Sequence, residues 1–391
     1  MNVSACSVVT TSSGDAVLFG YNEDRNTSQL DQQTTIVFYE NTSQNYANMQ
    51  IQAKSNTVFS LRAGMNSEGI AISGNGLGYY ELNPHPEKTY SRSTQSIYEL
   101  ILKRASTIED AKNLVNDFDF GSSMAFQIHI ADKLGNAIIV CPGTDKEVHI
   151  ISKDNSYFIS TNTNKLDSSQ YDQRKKIAEN ILGTDASVSK NDMKAVLKEI
   201  HQESYEGYTY YSTIFDLTNR MLYFYLASDF SEEVTLDFDA EMMKGEHSYI
   251  MSDLFPNGAQ KLTDLADRME FIENTVLVFR MVGILSILAI FLVFLRSMWL
   301  LRNIEFDTKN KKLKRIGVNL GKTIFLMIFI LLSAVILPWM LISNYLRMVI
   351  MSETMDPILI FYLFSWITIL IYGGMKGIQK YKSLKIEKSI T

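Results

Sequence analysis

Few side chains in this sequence could carry covalent chemistry. There are two cysteines, Cys6 and Cys141, and five histidines, His85, His129, His149, His201 and His247. Two thiols cannot build a disulfide framework, and no CxxC or Cys/His cluster has zinc-site spacing. The histidines are scattered, so neither a metal site nor any other cofactor is expected. Cys141 stands before Pro142-Gly143 and reads as a buried strand-end residue. Cys6 is the more informative thiol, because the strand–turn–strand that follows it ends in Gly20-Tyr21-Asn22-Glu23-Asp24. It can be a nucleophile. It can also be a small apolar strand residue, or a lipid attachment point, since Val3-Ser4-Ala5-Cys6 fits a lipobox. Asn22 and Asp24 can equally cap a turn. Asn75, among Gly74, Gly76 and Gly78, suits a backbone with positive φ.

The elements that must hold these residues follow from periodicity. Segments 16–21, 34–39, 58–61 and 70–73 read as strands, with Ser13-Gly14-Asp15 as a hairpin turn. Segments 93–104 and 108–116 read as helices, the second capped by Thr107 three residues before Asp110. Strands at 125–131 and 137–141 flank the turn Lys133-Leu134-Gly135-Asn136, and strands at 148–151 and 157–160 follow. Helices at 169–182 and 190–201 precede a hairpin, 209–217 and 221–227, turning at Asn219-Arg220. Strands, then helices, then strands predict an α+β domain with layered antiparallel sheets. The aromatic run Tyr208, Tyr210, Tyr211, Tyr223, Phe224 and Tyr225 reads as sheet packing.

The chain has 391 residues, 46% apolar and 20% charged, but this average joins two unlike pieces. Residues 1–270 are polar and acidic. Residues 275–375 hold three apolar runs, 276–295, 324–342 and 357–375, each near the length of about 20 residues that spans a bilayer. An all-α segment of three transmembrane helices is expected, joined to the first domain by a linker at 256–274. Arg302, Lys309, Lys311, Lys312, Lys314 and Arg315 follow the first run, and Lys376, Lys380, Lys382, Lys385 and Lys388 lie in the tail 376–391. The basic excess marks both segments as cytoplasmic, which makes the protein multi-pass and places the N-terminal domain outside. The competing arrangement is a cytoplasmic domain with inverted helices. Residues 1–5 are too short for a signal peptide, but Val3-Ser4-Ala5 looks like the end of one. They are read as a propeptide or signal-peptide remnant. A net charge of −6 and a pI near 5.5 argue against a nucleic-acid partner.

Five segments occur in a telling order. Cys6 and the Gly20–Asp24 motif come first, then Gly64-Met65-Asn66-Ser67-Glu68-Gly69-Ile70-Ala71-Ile72 with Asn75 just after. Ile130-Ala131-Asp132-Lys133-Leu134-Gly135-Asn136, Ile159-Ser160-Thr161-Asn162 and Tyr210-Tyr211-Ser212-Thr213-Ile214-Phe215-Asp216-Leu217 complete the series. In this order and spacing the chain resembles the choloylglycine hydrolase and penicillin V acylase superfamily of N-terminal-nucleophile (Ntn) hydrolases. The nearest branch is that of linear-amide hydrolases related to acyl-CoA:6-aminopenicillanate acyltransferase. The resemblance covers about residues 6–255 and none of the apolar runs. It implies a four-layer αββα fold with Cys6 as the mature N-terminus.

It also implies roles. The Cys6 thiolate attacks an amide carbonyl, and the freed α-amino group of Cys6, with a reference pKa of about 7.7–8.0, holds the proton. That requires removal of residues 1–5, by a peptidase or by autoproteolysis. Asp24 matches the carboxylate that orients the nucleophile and its amine. Asn75 and Asn162 match asparagines that stabilise an oxyanion, and Arg174 matches a supporting arginine. Tyr21 and Asn22 are the substrate-facing candidates. Tyr21 stands where the bile-salt branch usually has arginine, so bile-salt specificity is not supported. The resulting expectation is a membrane-anchored cysteine amidohydrolase or acyltransferase. Its partners are a small-molecule N-acyl amide, lipophilic enough to explain a tether, and membrane lipids. The alternative is an inactive binding or sensory domain on the same anchor. A transporter is poorly supported by three spans, and the oligomeric state is left open, a homo-oligomer included.

Overall fold

A computed structural model describes residues 6–275, apart from 14–15, 27–28, 30–31, 56–57, 168–171, 184–187 and 205–206, together with Leu277 and Met281. The expectations for residues 1–5, for the three apolar runs apart from those last two residues, and for the tail 376–391 lie outside the described residues. So do Gly14 and Asp15 of the first turn and the first residues of the helix expected from 169. Among the described residues, no helix is long and apolar enough to cross a membrane. The chain divides into two compact units, Met1–Asn274 and Thr275–Thr391.

The first unit is built mainly from antiparallel strands with two helical layers. In chain order the strands are β1 (Ser7–Ser13), β2 (Ala16–Arg25), β3 (Gln33–Tyr39), β4 (Asn48–Ser55), β5 (Val58–Asn66) and β6 (Ala71–Glu81). Then come β7 (Tyr90–Ser91), β8 (Phe118–Asp119), β9 (Ser123–Ala131), β10 (Ala137–Pro142), β11 (Val148–Ser152) and β12 (Tyr157–Ser160). The last are β13 (Glu203–Ser204), β14 (Gly207–Asp216), β15 (Met221–Leu226), β16 (Asp229–Asp237) and β17 (His247–Ile250). The helices are α1 (Ile97–Arg104), α2 (Ile108–Asn116), α3 (Gln173–Leu182), α4 (Lys190–Glu199) and α5 (Phe238–Met242). A further helix, α6, spans 258–275.

The first large sheet runs β12–β1–β2–β14–β15–β16 with β13 on β14, the second runs β11–β10–β9–β6–β5–β4–β3–β17, and β7 pairs with β8 in a small sheet of its own. Helices α1 and α2 bury Ile97, Leu100, Ile101, Ala111 and Val115 against Ile72, Ile128, Ile130 and Val140 of the second sheet. Helices α3 and α4 bury Ala178, Leu182, Met193, Val196 and Leu197 against Val9, Leu18, Ile159 and Ile214 of the first. Each fully buried aliphatic side chain contributes about 1.5–3 kcal/mol, so two apolar seams hold a helix layer on each sheet. The sheets also meet each other. His129 of β9 is fully buried. It bonds Thr10 Oγ1 of β1 at 2.9 Å and Ser160 Oγ of β12 at 3.0 Å. Burial holds it neutral, its pKa down at about 3, with Lys165 and Lys153 adding to the effect. Phe19 and Phe158 pack edge-on to its ring. The four layers are therefore helix, sheet, sheet and helix.

Local signals explain the elements. Thr107 and Asp110 form a capping box at α2, as do Ser189 and Asp192 at α4. Strand β14 is buried at all ten positions, as befits a central strand covered on both faces. The helix expected to start at 93 starts at Ile97 instead, because 92–95 form turns. Strands β4, β16 and β17 and helix α6 were not expected from periodicity. The expected linker 256–274 is largely α6, whose Leu265, Met269 and Ile272 are buried.

Candidate active site

The period of two along β2 sorts the motif at its end. Gly20 and Asn22 face α4: a Cβ on Gly20 would sit 2.6 Å from Met193 Sδ, and Asn22 Nδ2 donates to the Leu197 carbonyl at 2.9 Å. Tyr21, Glu23 and Arg25 face the other way, into the space between the sheets. Cys6, just before β1, lies beside them. Its thiol is 3.7 Å from Glu23 Oε2, 3.6 Å from Tyr21 Oη and 4.0 Å from the Asp24 carbonyl. Tyr21 Oη also donates to Glu23 Oε2. These residues open on a cavity of about 770 Å³. Leu61 and Arg62 of β5, Asn75 and Leu77 of β6, Tyr98 of α1 and Phe126 of β9 line much of the rest.

Burial, then Glu23 and Asp24, raise the Cys6 pKa far above that of a free thiol. The resting group is therefore the thiol, and it needs a proton acceptor to react. Asn75 is buried, and neither its side-chain nitrogen nor its oxygen has a hydrogen-bond partner among the described residues. An amide left open at a cavity wall can donate to an oxyanion there. Gly74 sets the wall, since a Cβ on it would lie 2.1 Å from Tyr98 Oη and 2.6 Å from the Gln127 carbonyl.

Behind the thiol runs a polar chain. Asp24 is fully buried, accepts from Thr209 Oγ1, and is paired through Oδ2 with Arg174 Nη1 at 3.2 Å. Arg174 Nη2 donates to Asn162 Oδ1 at 2.7 Å, and Asn162 Nδ2 donates to the Gly76 carbonyl at 2.8 Å. One line of bonds thus links β14, β2, α3, the loop after β12, and β6. Asp172 caps α3 through Lys175 N at 3.1 Å and accepts from Thr161 and Thr163. It ties the Asn162 loop to the helix that carries Arg174. Burial pushes the Asp24 carboxyl up to about 7, with Arg174 and Thr209 pulling against it.

Residues 9–230 match the family Acyl-coenzyme A:6-aminopenicillanic acid acyl-transferase, more than half of the sequence. The chain belongs to this family. Its fold is a sheet-rich α+β one. No curated protein matches the sequence. Among solved structures, a mutant of the conjugated bile acid hydrolase from Clostridium perfringens is 14% identical, with a TM-score of 0.49 over 63% of this chain and 96% of that one. A second variant of that hydrolase is 13% identical, with a TM-score of 0.44 over 62% and 96%. Penicillin V acylase from Agrobacterium tumefaciens is 14% identical, with a TM-score of 0.41 over 57% and 83%.

The structure thus gathers Cys6, Tyr21 and Asn75 at one cavity, and Asp24, Arg174 and Asn162 in one bonded chain. Asn22 departs from its expected place. It points to α4 and lies outside the cavity lining, because it falls on the opposite face of β2 from Tyr21. Tyr21 reaches the thiol itself. Sequence reading missed Glu23, Arg62 and Gln127. Glu23 was legible in principle, since it shares the Tyr21 face two residues on. Arg62 comes from the other sheet, with Nε 3.5 Å from Glu23 Oε1. Gln127 of β9 donates to the Thr161 and Thr163 carbonyls at 2.6 and 2.9 Å, which fixes the Asn162 loop. No local signal announces either of these last two.

Proposed function

We propose that this protein is a membrane-anchored cysteine amidohydrolase or acyltransferase that cleaves a linear C–N amide with Cys6 as nucleophile. The observation that carries this reading is a buried thiol and an unpartnered asparagine amide on the wall of one cavity, in a chain of an acyltransferase family. In this reading, Sγ attacks the amide carbonyl and Asn75 stabilises the oxyanion. Asp24, held by Arg174, orients Cys6, while Asn162 completes the polar chain behind it. Removal of residues 1–5 frees the Cys6 α-amine to hold and return a proton. Leu61, Leu77 and Phe126 give the cavity an apolar wall, which supports an N-acyl substrate with an apolar acyl group. The runs at 276–295, 324–342 and 357–375 would anchor the enzyme, with residues 1–270 outside and the C-terminus cytoplasmic. A lipophilic substrate drawn from the bilayer fits such a tether. The test is an electrophilic amide analogue. It should label Cys6 in the purified chain, and Cys6→Ala should lose both labelling and turnover. Full turnover by Cys6→Ala sinks the reading.

A further inference from the structure

We propose that Glu23 is a second catalytic residue of this site, accepting the Cys6 thiol proton at Oε2 either directly or through Tyr21 Oη. The proposal rests on the reading of Cys6 as nucleophile and goes beyond it, because it adds a carboxylate acceptor beside the α-amine of that reading.

The two carboxylate oxygens of Glu23 have different neighbours. Oε1 lies 3.6 Å from Arg25 Nε and 3.5 Å from Arg62 Nε. Oε2 faces the Cys6 thiol at 3.7 Å and accepts from Tyr21. Both arginines are positioned by other partners. Arg25 is fully buried, lies 3.8 Å over the Tyr210 ring, and donates to the Gln32 carbonyl at 2.9 Å and to Thr34 Oγ1 at 2.6 Å. Arg62 donates to Gln32 Oε1 at 3.4 Å. The carboxylate thus meets two guanidinium groups through one oxygen while its other oxygen is presented to sulfur. A side chain that only neutralised two arginines would not need to meet the nucleophile, and a carboxylate beside a buried thiol is unfavourable for both. The other titratable groups around it are Tyr98 of α1, Tyr211 of β14 and, behind the thiol, Asp24.

The S–H bond breaks and an O–H bond forms on Glu23 as sulfur bonds the carbonyl carbon, the negative charge passing to the carbonyl oxygen. When that intermediate collapses, the C–N bond breaks, Glu23 returns the proton to the leaving nitrogen, and a thioester remains on Cys6. Water, or an amine, then gives its proton to Glu23 as it attacks the thioester. The C–S bond breaks, and the sulfur takes that proton back.

The test uses the full-length chain and N-acyl p-nitroanilides, with iodoacetamide alkylation of Cys6 read by peptide mass. Glu23→Gln should lower kcat by about 100-fold, in the range of general acid–base catalysis, with KM little changed. One ionisation should vanish from the kcat/KM pH profile. Alkylation of Cys6 should slow as well while the melting temperature holds, because the buried thiol has lost its proton acceptor. A merely structural Glu23 would change folding, alkylation and turnover together. Should the Gln variant fail to fold, Glu23→Asp keeps a carboxylate by the arginines and serves instead, expected to lose at least tenfold in kcat. Wild-type kcat and pH profile in the folded variants overturn the proposal and leave Cys6 as nucleophile. Turnover surviving in Cys6→Ala overturns the parent reading instead.

Discussion

Asn75 and Asp24 show what burial does to single polar groups at this site. Asn75 is buried with its amide open, so it either serves a ligand or is a defect costing about 1–3 kcal/mol. Replacing it by alanine should therefore lower kcat by about 10²–10³-fold, the usual loss of one oxyanion donor, while thermal stability holds or rises. A stable variant with unchanged kcat would contradict that role. Asp24 carries a pH signature. Burial raises its pKa to about 7 in the folded chain, above the unfolded value of about 3.9. Folding therefore favours the neutral acid. The stability this group contributes is fully present below about pH 4 and is lost as pH rises through about 7. Melting curves of wild type and Asp24→Asn between pH 4 and 8 should diverge with rising pH, by at most about 4 kcal/mol. Parallel curves would refute the shift. The ion pair with Arg174 forms only as Asp24 ionises, so kcat/KM should climb across the same upper limb.

At the scale of elements, the site depends on where strands leave room. Gly74 of β6 is crowded by Tyr98 Oη and by the Gln127 backbone carbonyl. Gly74→Ala should cost about 1–3 kcal/mol and displace Asn75 next to it. Tyr98→Phe should relieve only part of the loss, because the carbonyl cannot move away. Melts of the single and double variants check this, and full recovery in the double variant would contradict it. Gly20 is a milder case, its nearest neighbour being the flexible end of Met193. The elements that announce themselves in the sequence are apolar, aromatic or β-branched runs and capped helices, such as β10, β14 and α2. Strand β4 was hidden because Asn48 and Gln50 are buried polar residues, joined in a ladder Gln52–Gln50–Asn48. Strand β16 was hidden because it is acidic, and β17 because it is only four residues long at a sheet edge. The same limit applies to the site. Cys6, Asp24, Asn75, Asn162 and Arg174 are legible as motif positions. Arg62 and Gln127 matter only once two sheets are stacked, and a linear reading does not stack them.

At the scale of the whole molecule, the catalytic unit continues beyond the family match. Helix α6 buries Leu265, Met269 and Ile272. Its Lys261 pairs with Glu232 and, at 2.5 Å, with Asp229 of β16, and its Arg268 pairs with Glu203 of β13 at 3.2 Å. The stretch that reads as a linker is thus docked on the first sheet. A chain ending at residue 257 should be less stable than one ending at 274 by several kcal/mol, on the order of 5 from the buried apolar side chains alone. Equal denaturation midpoints would contradict the docking. Composition alone separates the polar residues 1–270 from the three apolar runs after them, because long runs are legible without any tertiary contact. The proposed chemistry turns on where the acyl group is carried. Peptide mass spectrometry of the full-length enzyme, quenched during turnover of an N-acyl p-nitroanilide, reads this directly. The predicted result is one acyl adduct, on the sulfur of Cys6, in a peptide that starts at Cys6. Steady turnover with Cys6 unmodified at every quench time would contradict the account.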